Sequence, residues 1–325
     1  MGHLTVEQRY TISILLKKKL SPSVIADCLG RNKSVISREI KRNCDQRSGE
    51  YRYELAQKKC NTRHAEKPKK ILFTAEIQDQ VITKLKDKFS PEQIVGQSKL
   101  EGVECVSHET IYRFVWKEKA AGGDLYMHLR NKGKKYRKRG NNKDARGIIP
   151  NRIDIDQRPK IVEKKERFGD FEADTIIGKN HKRALLTIND RATGYGFIRK
   201  LESKDADIVA KKMINALNPF EEYSHTITSD NGREFAHHEK VADKLTLDFF
   251  FAKPYHSWER GANENFNRLV RQYFPKGTDF NCITVGDVRK VQNALNSRPR
   301  KRLGFFSPKE ILEKLNIFDK VAFIT

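Results

Sequence analysis

The sequence has no long apolar run. No stretch approaches the roughly 20 consecutive apolar residues that a membrane-spanning helix needs. The N-terminal residues also lack the basic, apolar and small-residue order of a secretory signal peptide. We therefore expect neither an integral membrane protein nor a secreted one, and no membrane partner.

Cysteine is scarce as well. The 325 residues include five cysteines, an odd number, and no two of them form a CxxC pair. This spacing excludes the common zinc-binding motifs and the disulfide framework of a small secreted domain. We expect free thiols in a reducing, cytoplasmic compartment at all five positions, which are Cys28, Cys44, Cys60, Cys105 and Cys282.

Acidic residues are in the minority. The chain has 42 Asp and Glu against 65 Lys and Arg, which leaves a formal net charge of +23 at pH 7. The excess is larger in residues 1–150 than in residues 151–325. Such a charge indicates a polyanionic partner, with nucleic acid the leading candidate. The length exceeds that of a usual single domain, so two or three domains are expected.

Residues 1–60 have the pattern of three short helices. Thr5 and Gln8 form a capping box, Ser21-Pro22 begins a second helix, and the third runs from Asn32 to Asn43. This order predicts a helix-turn-helix unit that binds DNA. An ordinary helical bundle with a solvated charged face is the alternative. The residues expected to face DNA from the third helix are Lys33, Ser34, Ser37, Arg38, Lys41 and Arg42.

The same layout recurs 69 positions later, where Ser90-Pro91 matches Ser21-Pro22 and Thr74 matches Thr5. We interpret residues 70–128 as a second helical DNA-binding unit, produced by duplication. Because Ser-Pro commonly begins helices, a chance match is the alternative. The last helix of this unit begins at a Ser107 cap, and its candidate DNA contacts are His108, Thr110 and Arg113.

Residues 129–150 form a basic linker with almost nothing to bury. A run of this kind is often just solvated, but beside a DNA-binding unit it is well suited to follow the phosphates of the DNA backbone. We favour that role for the linker's densest cluster of charge, which contains Lys134, Lys135, Arg137, Lys138 and Arg139.

From about residue 168 the pattern changes to that of an α/β domain. Three strand-like runs (FGDFEADTIIG, RALLTIND and YGFIRKL) precede a helix, and the strand HTITS, a helix, the strand LTLDFFFA and a further helix follow. This order predicts an RNase H-like fold with a mixed sheet over residues 151–325, ending in a helical tail. The whole chain is then a multidomain protein, all-α at its N-terminus and α/β after it.

Three carboxylates lie on neighbouring elements of this predicted fold. Asp174 lies in the first strand, Asp230 ends the fourth, and Glu264 lies in what we expect to be the penultimate helix. Magnesium takes hard oxygen ligands, and two such ions can support an in-line displacement at phosphorus without a side-chain nucleophile. Glu172 shares a strand face with Asp174 and is a rival, which we place behind the metal ligands.

The flanking residues make the interpretation specific. The segments GDFEADTIIG, TSDNGREF, PYHSWERGANENFNRLVRQYFPKGTDF and LNSRPRKRLGFFSP resemble signatures of the insertion sequence 30 family of bacterial transposases, and the N-terminal HLTVEQRYTI and GRNKSVISREIKRN resemble that family's helix-turn-helix segments. The resemblance covers nearly the whole chain. The sequence departs from the family pattern at Phe171, where Trp is typical, and at Ala173, where Gly is usual.

The resemblance implies a DDE transposase with Asp174, Asp230 and Glu264 as catalytic and metal-binding triad. It implies Mg²⁺-dependent cleavage and strand transfer, for which we expect two Mg²⁺ ions with Mn²⁺ as a substitute. The expected partners are double-stranded DNA, both terminal inverted repeats and target, and a second copy of the chain in a homodimer or higher oligomer. We expect a cytoplasmic, nucleoid-associated protein.

Further contacts and two other functions complete these expectations. His256 is a candidate contact to the cut strand, and Arg268 and Arg271 either hold phosphates beside the metals or form a solvated helix face. The basic tail segment around Arg298, with Arg300, Lys301 and Arg302, is either a DNA contact or a solvated loop. A helix-turn-helix regulator without catalysis and a metal-dependent nuclease without joining activity are the alternative functions. The complete set of carboxylates disfavours the regulator.

Overall fold

The computed structural model describes residues 3–66, 72–132, 149–181, 183–253 and 256–318. The chain divides into two compact units, Met1–Ile71 and Leu72–Thr325. No helix in these ranges is long and apolar enough to cross a membrane. All five cysteines are free.

Residues 3–66 of the first unit form four helices, one more than the sequence pattern predicted. The expected capping box joins Thr5 and Gln8 at the start of the first helix. Ile12, Ile25 and Ile36 are fully buried and form the centre of the core. The helices are α1 (Val6–Lys17), α2 (Pro22–Cys28), α3 (Lys33–Asn43) and the unpredicted α4 (Tyr53–Glu66).

The second unit begins with three helices that repeat this layout: α5 (Ala75–Lys86), α6 (Pro91–Glu101) and α7 (His108–Ala120). Their N-caps are Thr74, Ser90 and Ser107, as the internal repeat predicted. We call residues 72–132 the second helical segment. Its core contains Val81, Ile94 and Ile111, the counterparts of the three buried isoleucines of the first unit.

The second helical segment is anchored to the C-terminal part of the chain. The Gln93 side chain donates a hydrogen bond to the Pro299 carbonyl (2.6 Å). The Phe305 ring packs against Gly96, where an added Cβ would lie 2.2 Å from the ring. Glycine at this position therefore allows the close approach of the ring.

A six-stranded mixed sheet forms the centre of the second unit, in the order β1-β6-β5-β2-β3-β4. Strands β2, β3 and β4 form an antiparallel meander, while β5 and β6 run parallel to β2, and the short, unpredicted β1 pairs parallel with β6. This is the RNase H-like fold. The strands are β1 (Ile153–Asp154), β2 (Asp170–Ile177), β3 (Ala184–Asp190), β4 (Gly196–Leu201), β5 (Thr226–Ser229) and β6 (Asp248–Phe251).

Helices cover both faces of this sheet. One apolar core packs α9, α10 and α13 against one face, and another packs α11 and α12 against the other. The bounds are α8 (Ile161–Lys164), α9 (Ala206–Leu217), α10 (His238–Leu245), α11 (Gly261–Tyr273), α12 (Val285–Asn296) and α13 (Pro308–Lys314).

The expectation that Glu264 lies in the penultimate helix is wrong. Glu264 belongs to α11, and two helices follow it in the described part of the chain. The additional helix, α12, begins at a capping box of Thr284 and Asp287, and it buries Val288, Val291 and Leu295. Both features are readable in the sequence.

Candidate active site

The alternation of strand β2 divides its side chains between the two cores. Phe171 and Ala173 are fully buried in the core formed with α9 and α10. Glu172 and Asp174 project to the opposite face, where α11 packs. The two departures from the family pattern therefore point away from Asp174 and leave its surroundings intact.

Asp174 and Asp230 lie at the same level of the sheet. In the parallel pairing of β2 with β5, Glu172 stands opposite Thr228, and each aspartate comes two residues later. The turn after β5 is fixed by a hydrogen bond from the Gly232 amide to Asp230 Oδ1 (2.9 Å) and by one from the Asn231 side chain to the Ala252 carbonyl (2.6 Å). The sheet thus sets the two carboxylates side by side.

Helix α11 is bound to β2 at two points. The backbone N–H of Asn263 donates to Glu172 Oε2 (2.8 Å), and Asn267 Nδ2 donates to Asp174 Oδ2 (2.9 Å). The two helix residues are four positions apart, a rise of about 6 Å, and the two strand residues are two positions apart, a rise of about 6.6 Å. The helix and the strand therefore advance by nearly the same distance between the two contacts. This match places Glu264, one residue after Asn263, on the helix beside Asp174.

The Glu172 carboxylate binds the first turn of α11 and contacts a buried arginine. Its side chain is 1% exposed, and besides the Asn263 amide it contacts Arg191 Nη1 at 3.1 Å. Burial raises the pKa of Glu172, and the positive charge of Arg191 opposes that rise. That Glu172 lies behind the metal ligands stays a prediction.

Arg260 lies close to both aspartates, a position that the sequence did not predict. Its Nη1 lies 3.6 Å from Asp174 Oδ2, and its Nη2 lies 3.7 Å from Asp230 Oδ2. Burial raises the pKa of Asp174 to about 6; Arg260 counteracts this rise, and Asp230 adds to it. Arg260 precedes Glu264 by four residues, a helical spacing that offered a signal.

Glu264 borders a cavity of about 690 Å³ that Asp174 and Arg260 also line. Its carboxylate is paired with Arg268 at 2.5 Å. The other charged residues that are described in the wall of this active-site cavity are all basic: Arg130, Lys132, Arg271 and Lys276. A cavity that joins carboxylates to a cationic rim suits a polyanionic substrate.

The residues present suit a divalent cation in part. Among the described residues, no three His, Cys, Asp or Glu side chains converge closely enough to hold a metal ion. Asp174 and Asp230 nevertheless share one cation, the Arg260 guanidinium, and they offer the hard oxygen ligands that Mg²⁺ prefers. Glu264 would complete the set by leaving Arg268.

A fourth carboxylate, Glu234, lies close to these groups and was also missed. Its Oε1 accepts hydrogen bonds from Thr175 (2.7 Å) and pairs with Lys204 (2.5 Å). Burial opposes ionisation of Glu234, but these partners outweigh it and lower its pKa. The Glu234 carboxylate is thus held by Thr175 and Lys204.

The other proposed contacts of the catalytic region have protein partners. Arg271 donates to the carbonyls of Ile177 (2.9 Å) and Pro275 (3.3 Å), so it braces the end of α11 while lining the active-site cavity. His256 Nδ1 lies 3.2 Å from Glu259 Oε1. Arg268 remains 64% exposed beside Glu264.

The helix-turn-helix candidates are mostly exposed. All six residues proposed on α3 (Lys33, Ser34, Ser37, Arg38, Lys41 and Arg42) are exposed, and Arg38 Nη2 donates to Ser34 Oγ (3.1 Å). On α7, His108 and Arg113 are exposed, and the half-buried Thr110 hydroxyl is 3.0 Å from that of Ser107. The linker residues Lys134, Lys135, Arg137, Lys138 and Arg139 lie outside the described residues.

Comparison with known proteins yields relatives over almost the full length. The chain is 55% identical over 321 residues to the transposase for insertion sequence element IS4351 of Bacteroides fragilis, covering 99% of this chain and 98% of that protein. It is 33% identical over 326 residues to transposase InsI for insertion sequence element IS30A of Escherichia coli (strain K12), covering 97% of this chain and 84% of that protein. Residues 2–43 match a helix-turn-helix domain family.

Among solved structures, the catalytic core domain of BIV integrase aligns with 46% of this chain and 97% of its own, at 19% identity and a TM-score of 0.36. A likeness of this size carries no argument about function.

Proposed function

The chain belongs to the insertion sequence 30 family of transposases, and we propose that it cuts the terminal inverted repeats of its own element and joins them to target DNA through Asp174, Asp230 and Glu264. One observation carries the assignment: Asp174 and Asp230 end up side by side on adjacent strands, facing one cation, with Glu264 on the helix bound to the same strand.

In this proposal Asp174, Asp230 and Glu264 hold two Mg²⁺ ions, or Mn²⁺ in their place. Ions bound there would activate the attacking water or 3′-hydroxyl and stabilise the leaving oxygen. Asn267 fixes the orientation of Asp174 through its 2.9 Å hydrogen bond. Arg260 leaves the two carboxylates and becomes available to the scissile phosphate, as does Arg268 when Glu264 turns inward.

DNA would be held by charge and read by a helix. The exposed residues of α3 are proposed to contact base edges, since this helix has the place of a recognition helix. The basic rim of the active-site cavity, with His256, and the linker would bind phosphates. The second helical segment is proposed as a further DNA-binding unit through α7. Cutting two ends in concert calls for at least two copies of the chain on DNA.

The triad is tested by Asp174→Asn, Asp230→Asn and Glu264→Gln. Each variant should abolish cleavage of a duplex carrying the terminal repeat while binding persists, because the changed side chains lie outside α3. The exposed Glu222→Gln is the charge-matched control. Cleavage near the level of the unchanged protein by one of the three would remove that residue from the triad.

A nuclease without joining activity is the second candidate, because the same carboxylates hydrolyse phosphodiesters when water is the nucleophile. A pre-cut terminal repeat incubated with supercoiled plasmid and Mg²⁺ separates the two. Covalent joining of the repeat to plasmid supports the transposase, and hydrolysis alone supports the nuclease. Activity with Mg²⁺ or Mn²⁺ but none with Ca²⁺, whose coordination is longer and looser, is expected in either case.

A further inference from the structure

A second cavity, of about 260 Å³, lies on another flank of the catalytic helix α11. We call it the arginine cavity. The α11 residues that line it include Ala262, Asn265 and Leu269, whereas Glu264, Asn267 and Arg268 of the same helix line the active-site cavity. Its lining, as far as the chain is described, contains no carboxylate, and its four cationic residues are Lys165, Arg191, Arg300 and Arg302.

Arg191 is buried at the wall of this cavity with part of its hydrogen-bonding capacity unused. It is 4% exposed, and its two Nη atoms contact Glu172 (3.1 Å) and Glu163 (2.9 Å). Its Nε is buried and has no hydrogen-bond partner within the described ranges. A buried donor without a partner costs free energy, which a ligand that accepts its hydrogen bond would recover.

Arg300 and Arg302 come from the tail segment, in which Arg298 is buried and Lys301 and Arg302 are exposed. Arg300 donates to the Leu295 carbonyl (2.9 Å), and Arg302 donates to the Ala192 carbonyl (2.6 Å). Over the described part of the chain, neither forms an ion pair with a carboxylate. Burial and the nearby charges of Arg298, Arg302 and Arg130 lower the pKa of Arg300 to about 9. These like charges are held together although they repel, and a bound anion would relieve the repulsion.

The first turn of α11 also reaches this cavity, since Gly261 and Ala262 line it. The N-terminus of a helix of 13 residues carries a partial positive charge and amides that favour an anion. Together with the four cationic side chains, one of which is Arg191 with its unpartnered Nε, the turn suits one phosphate group.

We propose that the arginine cavity binds a phosphodiester of the DNA strand that enters the active site. The inference rests on the proposed function and extends it. A helix with its side chains is about 10–12 Å across, so a phosphate bound on the other flank of α11 lies a few nucleotides from the scissile one. Arg130 links the two sites, because it lines the active-site cavity and donates to Asn265 of the arginine cavity (2.8 Å).

The test is a scan of the terminal-repeat duplex with neutral methylphosphonate linkages, one position at a time, using the full-length protein. Binding is measured without Mg²⁺ and cleavage with it. We expect two sensitive positions, the scissile phosphate and one a few nucleotides away. At the second position the substitution should weaken binding about tenfold, the worth of one charge-assisted hydrogen bond.

Variants assign the second position to the cavity. Lys165→Gln and Arg300→Gln should each bind the unmodified duplex more weakly and lose the sensitivity at that position alone. Lys301→Gln removes a charge from the same tail segment, but its side chain is 71% exposed and outside the cavity, so it should keep the sensitivity. Lys165 is exposed, so its variant remains informative if Arg300→Gln unfolds.

The outcomes separate the two proposals. A single sensitive position, at the scissile phosphate, overturns the arginine cavity as a DNA site and leaves the proposed function standing. Stabilisation by inorganic phosphate that Arg300→Gln abolishes, without a second sensitive position, identifies a free-anion site and also overturns it. Absence of cleavage in any duplex contradicts the proposed function itself.

Discussion

At the scale of single residues, Arg260 contributes most to the electrostatics of the active site. It lies between two carboxylates that the proposed chemistry assigns to metal ions. Two aspartates without a cation between them would repel each other, so Arg260 preserves their arrangement in the metal-free protein. The same contacts make it a competitor of the metal.

Replacing Arg260 with Ala should therefore raise the affinity for a divalent ion, by roughly tenfold, because no side-chain cation has to be displaced. Cleavage should fall at saturating metal, because the guanidinium no longer reaches the phosphate. Mn²⁺ titration followed by electron paramagnetic resonance measures the affinity independently of turnover. Arg289→Ala, at an exposed position of α12, is the charge-matched control. Equal or weaker Mn²⁺ binding by Arg260→Ala would refute the competition.

The sequence predicted part of this site. Asp174 and Asp230 could be placed because a strand pattern and a turn signal surround each of them. The shared face of Glu172 and Asp174 followed from strand alternation, but the partners of Glu172 did not. Asn263 lies 91 residues away, and only the folded sheet brings the first turn of α11 to Glu172.

At the scale of elements, helix α3 is the one whose chemistry is most directly testable. The Arg38 guanidinium is held on its exposed face by the Ser34 carbonyl (3.0 Å) and hydroxyl (3.1 Å). Arg38→Ala should reduce discrimination between the cognate repeat and a scrambled duplex by about 1–3 kcal/mol, the value of one base-edge contact. Fluorescence anisotropy with both duplexes measures the difference, and Lys18→Ala at the end of α1 is the charge-matched control.

The basic linker is expected to contribute to DNA affinity but not to discrimination between sequences. Neutralising Lys134, Lys135, Arg137, Lys138 and Arg139 together should weaken binding to both duplexes alike and make its salt dependence shallower. If the linker variant lost discrimination while Arg38→Ala retained it, the assignment of sequence reading to α3 would be reversed.

Elements with a clear helix cap or a clear apolar periodicity in the sequence were the easier ones to predict. Helices α1, α2 and α3 begin at side-chain caps that the sequence displays. Helix α4 buries little more than Ala56, so it has almost no apolar periodicity to detect, and β1 has only two residues. Helix α12 was missed although its capping box and apolar spacing were present.

At the scale of the whole molecule, composition was a weaker guide than packing. The change from helical to basic and then to α/β composition suggested domains at 1–60, 70–128 and 151–325, which remain a proposal. In the structure, residues from 72 onward form one compact unit, to which the second helical segment is joined through Gln93 and Gly96. These contacts join residues about 200 positions apart, and no local pattern encodes them.

This division predicts which fragments of the chain fold on their own. A fragment of residues 1–71 should fold, because its helices enclose a core of their own around Ile12, Ile25 and Ile36, and it should prefer the cognate repeat. A fragment that ends at residue 128 should be less stable over its second half, because α6 loses Phe305 and Pro299.

Circular dichroism melting measures the stability of both fragments, and anisotropy with cognate and scrambled duplexes measures their discrimination. The fragment of residues 72–325 is the complement, since it retains the proposed catalytic residues but not α3. We expect it to cut DNA with little preference for the repeat. If this fragment instead discriminated between the duplexes while residues 1–71 bound both equally, sequence reading would belong to α7, and the second helical segment would be the recognition unit.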